Sequence, residues 1–466
     1  MPNKTLETNL VAGIWPPEVL ERILEERQAA VAEVARAFTI AGLATQAHVL
    51  LVVLPRSRDA ERFYESLKVW MDAGDVSLYP AWEALPGEAI SPTLETMGKR
   101  IKLLRDLSSG RPPKVIVTSV RAAVQGVAEP PESTITLRPG TEIPLEEIAK
   151  GLVDYGFERN YLVERPGEFS VRGGILDVFP ADGGPPFRAD FFGDEITDLR
   201  RFSATTQRSE GPLEAVAVTP CRELRLSDEV RAKAASLLES GSFEGERRED
   251  LERLANGVPF PGMEAYLGLL AGPLRKVTDL LPPEGNVVLC DPKQCRDRAA
   301  DFLEQAASWG GEQSESLFVD FGEVAQGAVE LWAYRRAEEG VDLDVTGWDE
   351  YAGRVDALAE RLSDVLRSGA TVTVAAGRGA DRAREVLAES GLGLPVAGPR
   401  LGRGVITADG VGKGFLLKFE GEPALAVVGE ADLFGRRRQA ASPPAQVPAR
   451  ATALVLELAP GDYVVH

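Results

Sequence analysis

The composition of this 466-residue chain, with 44% hydrophobic and 27% charged residues, is that of an ordinary globular protein, and its length predicts about three domains. A net charge of -20 disfavours binding to duplex DNA through overall charge, because such binding relies on Lys and Arg to neutralise phosphates. The sequence has no run of about 18 apolar residues that would predict a transmembrane helix, and no signal-peptide pattern at its amino terminus, so we expect no membrane partner.

Reactive and metal-binding residue types are scarce. The three cysteines, Cys221, Cys290 and Cys295, do not have the number or spacing of a disulfide framework or a zinc site, and we expect isolated buried thiols. The two histidines, His48 and His466, argue against histidine-based catalysis. Sparse free cysteines are typical of a reducing compartment, so we expect a cytoplasmic protein with no metal site.

The first 128 residues alternate helical and strand patterns, which predicts a parallel sheet flanked by helices. A helix that begins at Pro16 and Pro17 is predicted to run towards Phe38. The apolar run at 48–54 is predicted to be a buried strand.

The pattern changes at residue 129 and changes back at residue 225. Short β segments separated by glycine-rich turns dominate residues 129–224, which predicts a separate β-rich (α+β) module. Residues 225–312 return to the helix-and-strand style of the first segment. We therefore predict that 1–128 and 225–312 are two parts of one α/β domain, into which the β-rich module is inserted.

Residues 313–435 predict a second, small α/β domain, which includes a long helix at 348–367. The basic and then Pro/Ala-rich stretch at 436–453 is typical of a linker. Residues 454–466 end within a strand pattern, so we expect them to be the truncated start of a further domain.

The glycine motifs of the chain do not match those that bind nucleotides. A phosphate-binding loop needs G-x-x-x-x-G-K-[ST], but the Gly-Lys pairs that begin at Gly98 and Gly412 are followed by arginine and glycine. The turn at 376–381 (AGRGAD) is similar to a dinucleotide-binding turn, yet Arg382 stands where the third glycine belongs, and a tight strand-to-helix turn is the preferred interpretation. We therefore predict no nucleotide hydrolysis, no catalytic residue and no cofactor for this chain.

The most specific stretch of the sequence is 165–209. Within its segment 187–192 (FRADFF), alternate side chains face opposite sides of a strand, so Arg188 and Phe192 are predicted to point together, away from the apolar side. An arginine beside an exposed aromatic ring is typical of an interface hot spot. Arg172 alternates with its neighbours in the same way, but whether it joins this face depends on a hairpin register that the sequence alone does not determine.

Two simpler interpretations compete for this stretch. In the first interpretation, the face that carries Arg188 and Phe192 is an ordinary solvated surface. Phe192 then covers a neighbouring domain, and Asp190 is an ion-pair partner of Arg188. Alternatively, the acidic residues at 190–198 form a metal site, which we disfavour because Gly193 and Asp194 predict a hairpin turn.

Residues 166–180 (PGEFSVRGGILDVFP) and 191–209 (FFGDEITDLRRFSATTQRS) resemble the repair module shared by the excision-repair protein UvrB and the transcription-repair coupling factors. Further segments resemble the coupling factors rather than UvrB; they are 79–92, 117–125, 260–270, 430–435 and 460–466. The resemblance covers essentially the whole chain, but only the amino-terminal half of the family.

This resemblance implies a degenerate, non-hydrolysing P-loop-type α/β domain with the inserted β-rich module, followed by the second small α/β domain. In the family the module binds UvrA through two arginines and a phenylalanine, which match Arg172, Arg188 and Phe192. The family couples transcription to nucleotide-excision repair at RNA polymerase stalled on DNA damage. Its polymerase-interacting domain, which would start at 454–466, and its ATP- and magnesium-dependent motor lie beyond this chain. We therefore expect the chain to recruit UvrA without a motor of its own, and to reach RNA polymerase and DNA only through the missing half.

Two alternatives remain. One is a divergent UvrB-like, ATP-dependent damage-recognition subunit, which needs a phosphate loop and a DNA-inserting aromatic hairpin that the sequence does not display. The other is a stand-alone α/β protein with some other protein partner.

Overall fold

A computed structural model of the protein describes residues 11–84, 88–130, 133–241, 243–310, 316–334, 340–351, 353–396, 404–407 and 410–435. Its strands, in chain order, are β1 Gln28–Ala30, β2 Leu50–Leu54, β3 Val76–Tyr79, β4 Val115–Ser119, β5 Ile135–Leu137, β6 Glu158–Arg159, β7 Glu168–Arg172, β8 Ile175–Val178, β9 Phe187–Phe192, β10 Glu195–Phe202, β11 Ser209–Pro212, β12 Val216–Val218, β13 Asn286–Cys290, β14 Val329–Trp332, β15 Val341–Asp342, β16 Asp344–Gly347, β17 Thr371–Ala375, β18 Val405–Thr407, β19 Phe415–Phe419 and β20 Glu422–Gly429. Its α-helices are α1 Pro17–Glu26, α2 Arg36–Leu43, α3 Ser57–Leu67, α4 Leu94–Ser108, α5 Val120–Ala123, α6 Leu145–Asp154, α7 Asp228–Glu239, α8 Glu246–Ala255, α9 Leu267–Leu270, α10 Pro292–Gly310, α11 Phe321–Val324, α12 Val355–Arg367, α13 Ala380–Glu389 and α14 Glu430–Phe434. The predicted linker at 436–453 and the predicted domain start at 454–466 lie outside the described residues.

Seven strands form one parallel sheet in the order β15-β1-β14-β13-β2-β4-β3. Strands β2 and β4 are buried throughout, because apolar clusters cover both faces of the sheet and a parallel strand in that position is apolar along its whole length. Strand β13 follows the β-rich stretch in the chain but pairs with β2, which precedes it, with Val288 opposite Val52. Segments from both sides of the β-rich stretch therefore contribute strands to one sheet, and the predicted α/β class is confirmed.

The prediction of one long helix from Pro16 towards Phe38 is wrong. Helix α1 ends at Glu26, Arg27 takes a left-handed conformation (φ 55), and its backbone N–H caps the helix on the carbonyl of Ile23. The chain then adds β1 between β14 and β15, where Ala29 is fully buried. Pairing to neighbouring strands therefore overrides the helical spacing of this segment.

The boundary expected at residue 312 divides the seven-stranded sheet. Strands β14 and β15 follow that boundary, yet both pair with β1. The smaller α/β unit has its own five-stranded sheet, in the order β16-β19-β20-β17-β18. Its helix α12 begins at Val355 rather than at residue 348, because a short 3-10 turn at Asp349–Tyr351 precedes it.

The two α/β units share a hydrophobic core. Phe415 of β19 packs near Phe38, with ring centroids 5.9 Å apart, and Phe419 packs near Trp15 at 5.5 Å. Val427 of β20 belongs to the same buried cluster. One face of the smaller sheet is therefore covered by the first unit.

The β-rich module is a six-stranded sheet in the order β11-β10-β9-β8-β7-β6, accompanied by the β5–β12 pair and helix α6. Each pair of neighbouring strands from β7 to β11 is antiparallel, whereas β6 is parallel to β7. The inner face of this sheet packs against Ile148 and Leu152 of α6. Burial of one face leaves the opposite face of the sheet available to other contacts.

A buried ion pair fixes the point where the module rejoins the first unit. The side chains of Arg100 on α4 and Glu223 are 0% and 3% exposed, and Arg100 Nε donates to Glu223 Oε1 at 2.6 Å. The Arg100 guanidinium also donates to the carbonyl of Pro80 and to Gln125, and lies 4.4 Å from the centre of the Tyr79 ring. The module is therefore anchored by a fully paired charge rather than by apolar contacts alone.

Candidate protein-interaction surface

The face of the six-stranded sheet that points away from α6 carries all three residues singled out from the sequence. Strand pairing sets Asp177 of β8 opposite Arg188 of β9 and opposite Ser170 of β7. Because side chains alternate along a strand, Arg172 lies on the same side as Ser170, and Phe192 on the same side as Arg188. We call the surface formed by Arg172, Asp177, Arg188 and Phe192 the outer face.

The alternation predicted for β9 is confirmed. Phe187 and Ala189 are fully buried in the module core, Phe191 packs partly against that core, and Phe192 is 83% exposed. The hairpin turn predicted at Gly193 is also present, with a positive φ of 64° that glycine adopts without strain. The β9 hairpin therefore ends with an aromatic ring in solvent.

A single carboxylate joins the two arginines. Asp177 is buried, and its Oδ1 accepts a hydrogen bond from Arg188 Nε at 2.6 Å. Its Oδ2 accepts from Nη2 of Arg188 at 2.9 Å and from Nη2 of Arg172 at 2.7 Å. The hydrogen bond to Asp177 raises the pKa of the Arg188 guanidinium above its ordinary value, so this side chain stays charged.

The ion pair between Asp190 and Arg188 that belongs to the solvated-face interpretation is replaced by another one. Asp190 pairs with Arg200 of β10, and Nε of Arg200 also lies 3.1 Å from Oδ2 of Asp198. Arg188 turns to Asp177 instead, because the two stand directly opposite each other on neighbouring strands. Two of the acidic residues at 190–198, Asp190 and Asp198, thus share one basic partner. No group of His, Cys, Asp or Glu side chains suited to a metal ion occurs in the described part of the chain.

A second exposed aromatic ring borders the outer face. Tyr161 is 84% exposed, and the Arg172 guanidinium carbon lies 5.9 Å from the centre of its ring, within the range of a cation–π contact. Tyr161 and Phe192 are the two most exposed large hydrophobic side chains in the described residues. On the other side, Arg188 lies 5.3 Å from the centre of the buried Phe202 ring. The outer face and its border therefore combine two arginines held by Asp177 with two aromatic rings in solvent, which is the composition of a protein-binding hot spot.

Two residues of this region, Asp177 and Tyr161, were not predicted from the sequence. A signal for Asp177 was present, because it is a lone carboxylate within an apolar strand and follows a two-residue turn that sets the register of the β7–β8 hairpin. No comparable signal marks Tyr161, which lies just outside β6 and reaches Arg172 only through the fold.

The other features noted in the sequence have structural surroundings. The three cysteines are buried and free, as expected, and burial raises the pKa of the Cys290 thiol to about 11. The turn at 376–381 connects β17 to α13 through a 3-10 turn at Gly377–Gly379, as predicted. Lys99 and Lys413, which follow the two glycines of the Gly-Lys pairs, contact Glu95 and Asp349. A search of the described residues finds no helix with the length and apolar character of a membrane span.

Comparison with known proteins points to the same segment. The family described as the UvrB interaction domain matches residues 135–224, which contain the whole outer face. The transcription-repair-coupling factor of Mycobacterium tuberculosis is 34% identical over 93% of this chain, and that of Myxococcus xanthus is 35% identical over 48% of it. These matches cover 39% and 20% of the two relatives, so this chain spans less than half of their length. The protein of the same name from Bacillus subtilis is 24% identical over 62% of this chain.

Proposed function

This chain is a homologue of the transcription-repair-coupling factors over 93% of its length, and we propose that it recruits the repair protein UvrA through the outer face of its β-rich module. The observation that carries this proposal is the placement of Arg172, Arg188 and the exposed Phe192 on one side of a segment that matches the UvrB interaction domain. Two oriented arginines beside the solvent-exposed ring of Phe192 form a surface that suits a partner with hydrogen-bond acceptors around an apolar pocket.

Phe192 is the residue expected to contribute most to affinity. Transfer of a phenylalanine side chain from water to an apolar site contributes about 1.5–3 kcal/mol, and this ring is almost fully exposed before binding. Removal of the ring is therefore expected to weaken binding by about thirtyfold, the equivalent of about 2 kcal/mol. Arg188 is expected to make binding depend on the orientation of the partner, because Asp177 already holds its guanidinium in one orientation.

In the wider role that we propose, UvrA recruitment contributes to coupling transcription to nucleotide-excision repair at stalled RNA polymerase. Contacts to RNA polymerase and DNA, and the ATP- and magnesium-dependent motor, are assigned to the parts of the family outside this chain. A cytoplasmic setting fits this role, and the three free cysteines fit a reducing compartment.

A binding titration with purified UvrA tests the proposal. Arg188→Ala and Phe192→Ala should each lose at least about tenfold in affinity relative to the parent chain. Arg367→Ala and Tyr334→Ala are matched controls, because they remove an exposed arginine and an exposed aromatic ring elsewhere in the protein. Parent-like binding by both outer-face variants would overturn the assignment. Titration of the parent chain with ATP separates this function from a UvrB-like ATP-dependent one, which requires nucleotide binding.

A further inference from the structure

Asp177 occupies the centre of the outer face but is itself out of reach of a partner. Its side chain is 1% exposed, whereas those of Arg172 and Arg188 are 35% and 16% exposed. It extends from the strand between the two that carry the arginines, and both of its oxygens are engaged by guanidinium groups. A partner that docks on this face therefore meets the arginines, and meets Asp177 only through them.

We propose that Asp177 is the positioning residue of this surface, which fixes both guanidinium groups before UvrA binds. This inference rests on the proposed function. Asp177 uses two N–H groups of Arg188 and one of Arg172, which leaves the others available for acceptor groups of UvrA, such as carboxylates. The partner chemistry that fits is an acidic or carbonyl-rich patch next to an apolar pocket for Phe192.

Fixing the arginines in advance strengthens binding because arginine has many accessible rotamers in solution. A side chain that becomes ordered only on binding lowers the affinity, and ordering two arginines corresponds to about a tenfold loss. The two-oxygen contact to Arg188 also depends on the fork shape of the guanidinium, which a lysine cannot reproduce. The gain in affinity therefore depends on the geometry of Asp177, not only on its charge.

The sign of the effect separates positioning from simple electrostatics. Replacing Asp177 with an uncharged residue makes the outer face more positive by one charge. If charge alone governed binding to an acidic patch, Asp177→Asn would bind UvrA more tightly. If Asp177 positions the arginines, the same variant binds less tightly despite its added positive charge.

Asp190 provides a matched control on the same sheet. It is a carboxylate two residue pairs away, opposite Ile175, and it forms its ion pair with Arg200 rather than with Arg172 or Arg188. Asp190→Asn changes the charge of the face by the same amount and leaves the Asp177 contacts in place. We expect it to change the affinity for UvrA by less than about threefold.

The experiment is a binding titration of the full chain with purified UvrA, accompanied by thermal unfolding of every variant. We expect Asp177→Asn to bind about tenfold less tightly than the parent. In the Arg188→Ala background, where most of the positioning is already lost, the same substitution should change the affinity by less than about twofold. Asp177→Glu, which keeps the charge but lengthens the side chain by one methylene, should also weaken binding, by about threefold or more.

Parent-like or tighter binding by Asp177→Asn would overturn the inference, as would a loss of equal size in the Arg188→Ala background. If Asp177→Asn does not fold, Asp177→Glu decides, and parent-like affinity of that variant rejects positioning. Failure of the parent chain to bind UvrA would overturn both this inference and the proposed function. Binding by the parent that is lost in Phe192→Ala but unaffected at Asp177 would overturn only the positioning role.

Discussion

Removal of Arg100 should destabilise the protein more than almost any other single change to a charged residue. Arg100 is the largest fully buried side chain in the described residues. Arg100→Leu removes its ion pair with Glu223 and its hydrogen bonds to the Pro80 carbonyl and to Gln125. Within the described part of the chain, it leaves the buried Glu223 carboxylate with a hydrogen bond donated by Trp82 Nε1 at 2.9 Å.

The expected cost is about 3–5 kcal/mol in the free energy of unfolding, because a buried charge without its partner has lost its hydration without compensation. Removing both charges should cost less than removing one. The double variant Arg100→Leu with Glu223→Leu should recover at least half of the loss, since a buried ion pair can be replaced by apolar residues at small cost. Arg22→Leu is the control; its pair with Glu26 is exposed on a helix, and its loss should cost less than about 0.5 kcal/mol.

Urea denaturation of these three variants and of the single variant Glu223→Leu, followed by circular dichroism and tryptophan fluorescence, measures these differences. The centre of the Trp82 ring lies 5.7 Å from the Arg100 guanidinium carbon, so the contribution of Trp82 to the fluorescence reports on this site. A cost below about 1 kcal/mol for Arg100→Leu would refute the reasoning, because it would mean that Glu223 is hydrated in the folded state. A double variant that loses the full sum of the two single variants would also refute it.

Two further predictions concern buried groups elsewhere. Burial raises the pKa of Cys290 to about 11 and also raises the pKa values of Cys221 and Cys295, so the folded state holds these protons more tightly than the unfolded state. The contribution of these thiols to the free energy of unfolding should therefore be constant below the ordinary thiol pKa of about 8.5 and fall as the pH rises towards 11. A weaker pH dependence above about 8.5 in Cys290→Ala would support this reasoning, and no decrease in the parent over that range would contradict it. Gly98→Ala should lower the thermal midpoint, because the added Cβ would stand 2.5 Å from the Cβ of Ala181, whereas Gly74→Ala meets its nearest atom at 3.9 Å and serves as the control. Equal midpoints for the two variants would show that the junction between α4 and the module yields without cost.

Local periodicity was enough to predict which side chains of β9 share a face. The alternation of Phe187 and Ala189 with Arg188 and Phe192 follows from the geometry of a single strand and needs no knowledge of its neighbours. Continuous apolar runs such as Leu50–Leu54 likewise indicated a buried parallel sheet. These features lie within one element, where the sequence pattern and the structure have the same period.

Features that depend on how elements meet were not accessible in the same way. The two-residue turn between β7 and β8 sets one register, but the loop at 179–186 between β8 and β9 sets none, so the meeting of Asp177 with Arg188 could not be derived. Strand β1 is three residues long and becomes a strand only because β14 and β15 pair with it. The core shared by Phe38 and Phe415 joins residues that are remote in the chain, and apolar patterns do not specify which faces pack together.

Site-specific photo-crosslinking tests the central claim most directly. A photoreactive benzoylphenylalanine at position 192 reports whether UvrA covers this ring in solution, and the same group at Tyr334, an exposed aromatic position outside the β-rich module, is the control. We expect an adduct with UvrA from position 192 and none from position 334. Adducts of equal yield from both positions, or none from position 192 while the two proteins remain bound, would contradict it.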